Sequence, residues 1–331
     1  MFRNNILLSN YSSYKIGGPA KYFYQAKTAE DLIAALKRWQ AVEERECIDT
    51  CRSHRVLPNH AHIFILGGGT NLIFNDPGFP GLVLQPSLLK LELTKDGIKA
   101  EAGVLMSDLL NFAADNSLSG LEWAGGLPGT LGGAIRGNAG AFGGEIKDCI
   151  QEVVSLKISG PQSGIIRRSN QECRFGYRNS IFKERDGEEI IISAQLVLKQ
   201  GDKHKIFQAM EEKIQYRKEK HPMEYPNVGS IFKNVALAQI NGKARSLLEK
   251  LDPQFPVKDD PFPVVPTAYL IAQAGLKGLS YGGARVSEKH PNFIVNFNNA
   301  KASDVKKLIG LVKTKVKDKF NIQLEEEVII L

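Results

Sequence analysis

The residues here most able to do chemistry are those with the least side chain. Gly67-Gly68-Gly69-Thr70-Asn71 follows directly on the apolar run Ile63-Phe64-Ile65-Leu66. Glycine lets backbone approach a ligand closely and take positive φ, and successive amides in such a turn form a concavity that binds anions. A pyrophosphate suits that nest, although a purely structural turn would use the same residues. The loop is not a G-x-G-x-x-G that opens a helix, and no Gly-Lys-Ser/Thr ends it, so neither a Rossmann site nor a P-loop is indicated. A second stretch, Gly125-Gly126-Leu127-Pro128-Gly129-Thr130-Leu131-Gly132-Gly133 and then Gly137-Asn138-Ala139-Gly140-Ala141, holds more glycine than a scaffold needs. Apolar residues between its glycines suit a segment that is buried or laid against a flat ligand. The two stretches lie about sixty residues apart on a β-rich first half. Together they point to a ligand with a diphosphate and a ring system, and FAD meets that description.

Three clusters of ionisable groups stand out. Glu325-Glu326-Glu327 lies near the C-terminus, where a period-two strand would put Glu325 and Glu327 on one face and Glu326 on the other. Spacing alone does not separate Glu325 from Glu327. Arg217 and Lys220 are three apart, on one face of a helix. Cys47, Cys51, His54, His60 and His62 fall within a polar stretch, Glu43 to His62. Their C-x3-C-x2-H start is not a standard zinc-finger spacing, so the stretch reads as a solvated loop and no metal is expected.

The elements that must position these groups can be read from pattern. The chain has 331 residues, 43% hydrophobic and 24% charged, enough for a substantial core and suggestive of two domains. Thr28 caps a helix whose Leu32, Ile33, Leu36 and Trp39 share a face. Short β-type runs cover 81–84, 89–93 and 98–102, with Asp96-Gly97 as a hairpin signal. A helix follows over 106–116, and further β segments cover 152–158 and 190–198. A long amphipathic helix begins at a boundary near Gly201-Asp202, with Ile206, Met210, Ile214 and Arg217 in line. Helices are predicted over 244–251 and 268–274, a Ser303-capped helix over 304–319, and a last strand over 322–330. Helices and strands mix without strict alternation, which argues for α+β rather than a doubly wound sheet.

The net charge of +7 favours anionic partners. The lysines of 306–319 sit at helical spacing opposite apolar residues and read as a solvated face, so nucleic acid is not expected. The four cysteines form no disulfide framework, and residues 1–9 lack a signal-peptide pattern. No window reaches the roughly 18 apolar residues of a membrane span. A cytoplasmic monomer is the expectation.

Tyr14-Lys15-Ile16-Gly17-Gly18-Pro19-Ala20, the Gly67 to Leu72 loop and the Gly126 to Gly143 stretch resemble three successive landmarks of the UDP-N-acetylenolpyruvoylglucosamine reductase (MurB) family. The resemblance continues through Phe175 to Ser180, Gly229 to Asn234, Ala274 to Gly278, Ser287 to Phe293 and Leu324 to Val328, covering almost the whole chain. It implies an α+β fold with an FAD-binding domain of the vanillyl-alcohol-oxidase/PCMH type over 1–201, in two subdomains split near residue 80. A smaller substrate-binding domain over 202–331 would return its last strand to the active site. It implies reduction of UDP-N-acetylglucosamine enolpyruvate to UDP-N-acetylmuramate in peptidoglycan precursor synthesis, with non-covalent FAD and with NADPH as hydride donor. No His or Cys lies in Ile65 to Asn75 to tether a flavin covalently.

Carried over residue by residue, the resemblance places FAD against Ile16, Gly17, Gly67, Gly68, Gly69, Thr70, Asn71 and Leu72. It adds Gly126, Pro128, Gly129, Thr130, Gly132, Gly133, Asn138 and Ala139. Arg178 matches the residue that holds the substrate carboxylate, Ser230 the proton donor, and Glu327 the catalytic glutamate. Glu327 is expected to carry a proton when working, so that it can hydrogen-bond the substrate carboxylate rather than repel it. Arg217 and Lys220 match positions that meet the UDP diphosphate, and Tyr177, Lys233 and Asn234 are substrate neighbours. Three features depart from the family pattern, the first being the stretch Glu43 to His62, which looks inserted. Val235 stands where Pro is usual, and the chain is longer before Ala274-Gly275, through Asp252 to Pro266 with its five prolines. The latter reads as a loop or small insertion.

Overall fold

The computed structural model describes residues 1–52, 63–158, 164–260 and 262–331, leaving aside the side chains of 43–52. It has the α+β composition expected. Its helices are α1 (Ala29–Arg52), α2 (Met106–Asp115), α3 (Leu131–Gly137), α4 (Ile181–Glu184), α5 (Lys203–Lys220), α6 (Gly242–Leu251), α7 (Thr267–Gln273) and α8 (Ala302–Phe320). The chain divides into two compact units. Unit 1 comprises 1–6, 19–68 and 79–213, and unit 2 comprises 7–18, 69–78 and 214–331.

Unit 1 holds two sheets. In the first, the strands run Arg3–Leu7, Pro19–Ala26, Phe79–Pro86, Ile63–Ile65, and the last three are mutually parallel. Parallel neighbours need a crossover, which α1 begins. Thr28 Oγ1 accepts from the Asp31 N–H at 3.1 Å, as its capping position predicts. Leu32, Ala35 and Trp39 of α1 pack with Ala26, Leu82 and Leu84, and with Leu156, Ile190 and Ile192 of the second sheet. That sheet is antiparallel, in the order Gly164–Ser169, Ile150–Lys157, Glu189–Val197, Gly97–Glu101, Leu91–Thr94. Its other core contains α2, α3 and the start of α5 through Ile206 and Met210. The predicted solvated loop over 43–62 is corrected in its first half, where α1 continues to Arg52. His54, His60 and His62 lie outside the described residues, as do the side chains of Cys47 and Cys51. Among the described residues no cluster of groups suits a metal ion. Cys149 and Cys173 are buried free thiols.

Unit 2 is built around α8, whose Val305, Leu308, Ile309, Val312, Val316 and Phe320 form one apolar face. Around it lie α6, α7 and two small antiparallel sheets. One of these sheets contains Lys258–Asp259 and Pro263–Val265, so the stretch 252–266 includes a short strand pair rather than loop alone. Segment 7–18 joins this unit through Tyr14, which is fully buried and donates its hydroxyl to the Ile294 carbonyl at 2.7 Å. The predicted last strand, 322–330, is mostly irregular extended chain. Only Ile329–Ile330 forms a strand, parallel to Leu72–Ile73. No helix among the described residues is long and apolar enough to cross a membrane.

The predicted Ser303 cap of α8 is corrected too. The cap position is Lys301, and Asp76 serves the exposed helix end from a distant loop. Its carboxylate accepts from the Ala302 N–H at 2.7 Å and the Ser303 N–H at 3.0 Å, satisfying donors that a helix start leaves open. Burial acts to raise the Asp76 carboxyl, but these donors and nearby Lys301 outweigh it and hold the group below its ordinary value. A carboxyl held low in the folded chain contributes stability that is present above its unfolded value and lost as pH falls through the folded value. Asp76→Ala is therefore expected to lower the unfolding free energy by about 0.5–2 kcal/mol near neutral pH. Urea melts of both proteins should converge on acidification; a gap independent of pH would contradict this account.

Candidate active site

In unit 1 the two glycine stretches meet. A Cβ on Gly68 would lie 2.7 Å from the Gly129 Cα and 3.3 Å from the Thr130 N, and one on Gly67 would lie 2.9 Å from the Thr130 Oγ1. The contact is therefore backbone against backbone, and neither loop tolerates a side chain there. Thr130 also starts α3, with its Oγ1 accepting from the Gly133 N–H at 3.4 Å. Gly132 packs on Ala102, where a Cβ would approach to 3.0 Å. Gly126 and Pro128 are exposed at the entry to this loop, and Ala139 is half-buried beyond α3.

Arg178 stands on a two-residue turn closed by Gly176 and Asn179, whose amides and carbonyls exchange bonds of 3.0 and 3.1 Å. Its backbone is left-handed, at φ 53°, an unfavourable conformation for a long side chain. Several contacts hold it there. Nη2 donates to the Gly140 carbonyl at 2.9 Å, Lys183 Nζ donates to the Arg178 carbonyl at 2.8 Å, and the guanidinium lies 5.1 Å from the Tyr177 ring centroid. Asn138 is fully buried. Its amide donates to the Gly176 carbonyl at 2.9 Å and accepts from the Lys147 N–H at 3.3 Å, so its side chain ties the second glycine stretch to the Arg178 turn.

In unit 2, Ser230 follows Gly229, a position at φ 81° where glycine is favoured. The segment after it lies beside the three glutamates. Glu327 N–H donates to the Ile231 carbonyl at 2.8 Å and Lys233 N–H to the Glu325 carbonyl at 2.9 Å. Ser230 and Glu327 thus stand on adjacent segments. The three glutamates differ in their surroundings. Glu325 is the more exposed partner of an ion pair with Lys233, and Glu326 is held by Lys313 at 2.7 Å. Asn71 lies at the same segment, donating to the Glu327 carbonyl at 3.4 Å. Asn234 Oδ1 accepts from the Thr267 N–H at 3.1 Å, at the start of α7. Leu72 pairs with Ile329. Ile16 is buried in the unit 2 core, and a Cβ on Gly17 would lie 2.7 Å from the Phe74 Cβ. Gly69, at φ 65°, sits so close to the Tyr11 carbonyl that a Cβ would come within 1.8 Å of its oxygen, and half-buried Thr70 follows.

Arg217 and Lys220 occupy the last turn of α5, Arg217 half-buried and Lys220 exposed. Burial lowers the Arg217 pKa. His221 follows and packs against His290 and Phe293, with ring centroids at 5.3 and 4.9 Å. Burial, reinforced by neighbouring positive charge, pushes both imidazoles down to about 4, so they are neutral near neutral pH.

Residues 221–331 match the C-terminal domain of UDP-N-acetylenolpyruvoylglucosamine reductase, and residues 20–162 match an FAD-binding domain. The chain is 34% identical over 332 residues to the UDP-N-acetylenolpyruvoylglucosamine reductase of Clostridium tetani, across 99% of this chain and 92% of that one. The identity is 37% to that of Caldanaerobacter subterraneus, across 98% and 91%. It also resembles the crystal structure of MurB from Thermus caldophilus, with a TM-score of 0.72, 28% identity and coverage of 100% and 99%. The chain belongs to the UDP-N-acetylenolpyruvoylglucosamine reductase family. As a member of the MurB family it is a flavin-dependent oxidoreductase, with an FAD-binding domain joined to a MurB C-terminal domain.

Both glycine stretches fall within the FAD-binding match, while Ser230, Lys233, Asn234 and Glu327 fall within the MurB C-terminal match. Arg178, Arg217 and Lys220 lie between the two. Backbone without side chains is what close approach to a diphosphate requires, and Gly67 and Gly68 have no room for a Cβ, so the residues present fit FAD. Two residues escaped the sequence reading. Asn292 sits unremarked in the Ser287 to Phe293 stretch, and Glu145 is a buried carboxylate paired with Lys147. Only a polar residue inside an otherwise buried stretch could have signalled either.

Gly68→Ala forces the two loops apart against backbone atoms, at an overpacking cost of about 1–3 kcal/mol. If that cost falls on the cradle, FAD affinity drops about five- to 150-fold. The flavin absorbance retained per protein after gel filtration measures it, and full retention would mean that the contact does not shape the cofactor site.

Proposed function

We propose that this chain reduces the enolpyruvyl ether of UDP-N-acetylglucosamine enolpyruvate to UDP-N-acetylmuramate, with NADPH as the source of reducing equivalents. The observation that carries this reading is the adjacency of Ser230 and Glu327, fixed by the Glu327 N–H to Ile231 carbonyl bond at 2.8 Å, within a MurB-family chain. Bound FAD supplies the hydride. The chain's own residues bind the substrate and manage its charge and proton.

Arg178 holds the substrate carboxylate through paired donors and keeps its charge at any working pH. The negative charge that develops beside that carboxylate calls for a fixed cation, which Arg178 provides. Glu327 donates a hydrogen bond to the carboxylate from a protonated carboxyl. Ser230 Oγ holds the proton for the carbon next to the carboxylate. A hydroxyl is a weak acid, but a strongly basic carbon needs a proton on the correct face more than it needs an acidic one. Arg217 and Lys220 offset the diphosphate charge, with Tyr177, Lys233 and Asn234 as neighbours. Ile16, Gly17, Gly67 to Leu72 and the second glycine stretch are the residues that would hold FAD.

Anaerobic stopped-flow absorbance separates the two halves of the reaction. Ser230→Ala should slow reoxidation of the reduced flavin by the enolpyruvyl sugar nucleotide about 10²–10⁴-fold and leave reduction by NADPH within about twofold. Unchanged reoxidation would overturn the role given to Ser230. Failure of the sugar nucleotide to reoxidise the wild-type flavin would overturn the reaction itself.

A further inference from the structure

The segment that carries Ser230 is not a regular strand. Outside the single bridge from Phe232 to Glu326 it has no ladder of its own, and its conformation depends on neighbours on two sides. One side is 325–327, described above. The other is Asn292, which is 3% exposed and sixty residues away in sequence. Its backbone carbonyl accepts from the Ile231 N–H at 2.8 Å. Its Oδ1 accepts from the Phe232 N–H at 3.1 Å, and its Nδ2 donates to the Phe232 carbonyl at 2.8 Å. One residue therefore makes three hydrogen bonds to the two residues after Ser230, and its side-chain amide replaces an absent strand.

Asn292 is itself fixed. Ser287 Oγ accepts from the Lys289 and His290 N–H groups at 3.2 and 3.1 Å, and Phe293 N–H donates to the His290 carbonyl at 2.9 Å. Ser287 is 5% exposed, so this turn is packed from within. No other side-chain type supplies a donor and an acceptor in the same plane at this length except Asp in its neutral form.

We infer that Asn292 is the positioning residue for Ser230: its amide sets the register and tilt of the Ser230 segment against Glu327. This rests on the proton-donor reading of Ser230. A proton donor misplaced by about 1 Å can cost on the order of 10²-fold in rate, whereas flavin binding and its reduction by NADPH do not call on Ser230.

The test is a double-mutant cycle on the flavin-loaded full chain, read by anaerobic stopped flow. Asn292→Asp, measured at a pH where the introduced carboxyl is ionised, keeps the acceptor for the Phe232 N–H and removes the donor to its carbonyl. Reoxidation by UDP-N-acetylglucosamine enolpyruvate should slow about 10- to 100-fold, with reduction by NADPH within about twofold. In the Ser230→Ala background the same substitution should slow reoxidation by less than about twofold more, because coupled residues are not additive. Equal slowing in both backgrounds, or equal loss from both half-reactions, would make Asn292 a general structural residue and overturn the inference. If Asn292→Asp yields no yellow protein, Asn292→Ser, whose hydroxyl both donates and accepts, takes its place under the same criteria. If Ser230→Ala alone reoxidises at the wild-type rate, the donor reading itself fails, a result distinct from additivity.

Discussion

A single backbone hydrogen bond, from Glu327 to the Ile231 carbonyl, fixes what the C-terminal unit can present. It is one of a set of bonds to remote residues that define the conformation of residues 229–233. Gly229 turns the chain through positive φ, and from there Ile231, Phe232 and Lys233 are held from both flanks by residues remote in sequence. The chain end is anchored next to this point, where Ile329–Ile330 pairs with Leu72–Ile73 directly after the first glycine loop. The loop that follows Gly69 and the terminal glutamates thus share one small piece of structure, where Asn71 donates its side-chain amide to the Glu327 carbonyl and accepts from the Ile329 N–H at its own carbonyl.

The same logic, precision from backbone contact rather than from side-chain bulk, governs the glycine stretches of unit 1. Gly68 and Gly129 meet without side chains, and Thr130 both closes against Gly67 and starts α3. Arg178 is the counter-example: a long cationic side chain on a left-handed backbone. Such a conformation costs about 1–2 kcal/mol for a residue with a Cβ. It persists because the Gly176–Asn179 turn, Asn138, Lys183 and the Gly140 carbonyl together over-determine it. Strain held at one residue by this many partners is the mark of a side chain whose direction matters.

Much of the fold could be read from the chain because its helices obey simple rules. The Thr28 cap, the Ile206–Met210 stripe and the apolar face of α8 each depend on local pattern alone. What escaped was non-local. The cap of α8 comes from Asp76, more than two hundred residues away, and no window around Ser303 could reveal it. Residues 7–18 and 69–78 belong to the second unit through contacts such as Tyr14 with Ile294, which are invisible to any linear cut. Glycine loops, by contrast, announce themselves by composition, which is why the cofactor side of the site was more legible than the bracing of Ser230.

The three consecutive glutamates show where pattern reasoning stops and chemistry takes over. A period-two argument groups Glu325 with Glu327, but the segment is irregular and the alternation does not decide their fates. Neighbouring lysines do. Glu325 is drawn to Lys233 and Glu326 to Lys313, each becoming part of an ion pair. Glu327 stands between them with its backbone bound to Ile231, beside Ser230. The two ion pairs match Lys233 to Glu325 and Lys313 to Glu326, and the bond from the Glu327 N–H to the Ile231 carbonyl, not strand alternation, sets where Glu327 stands.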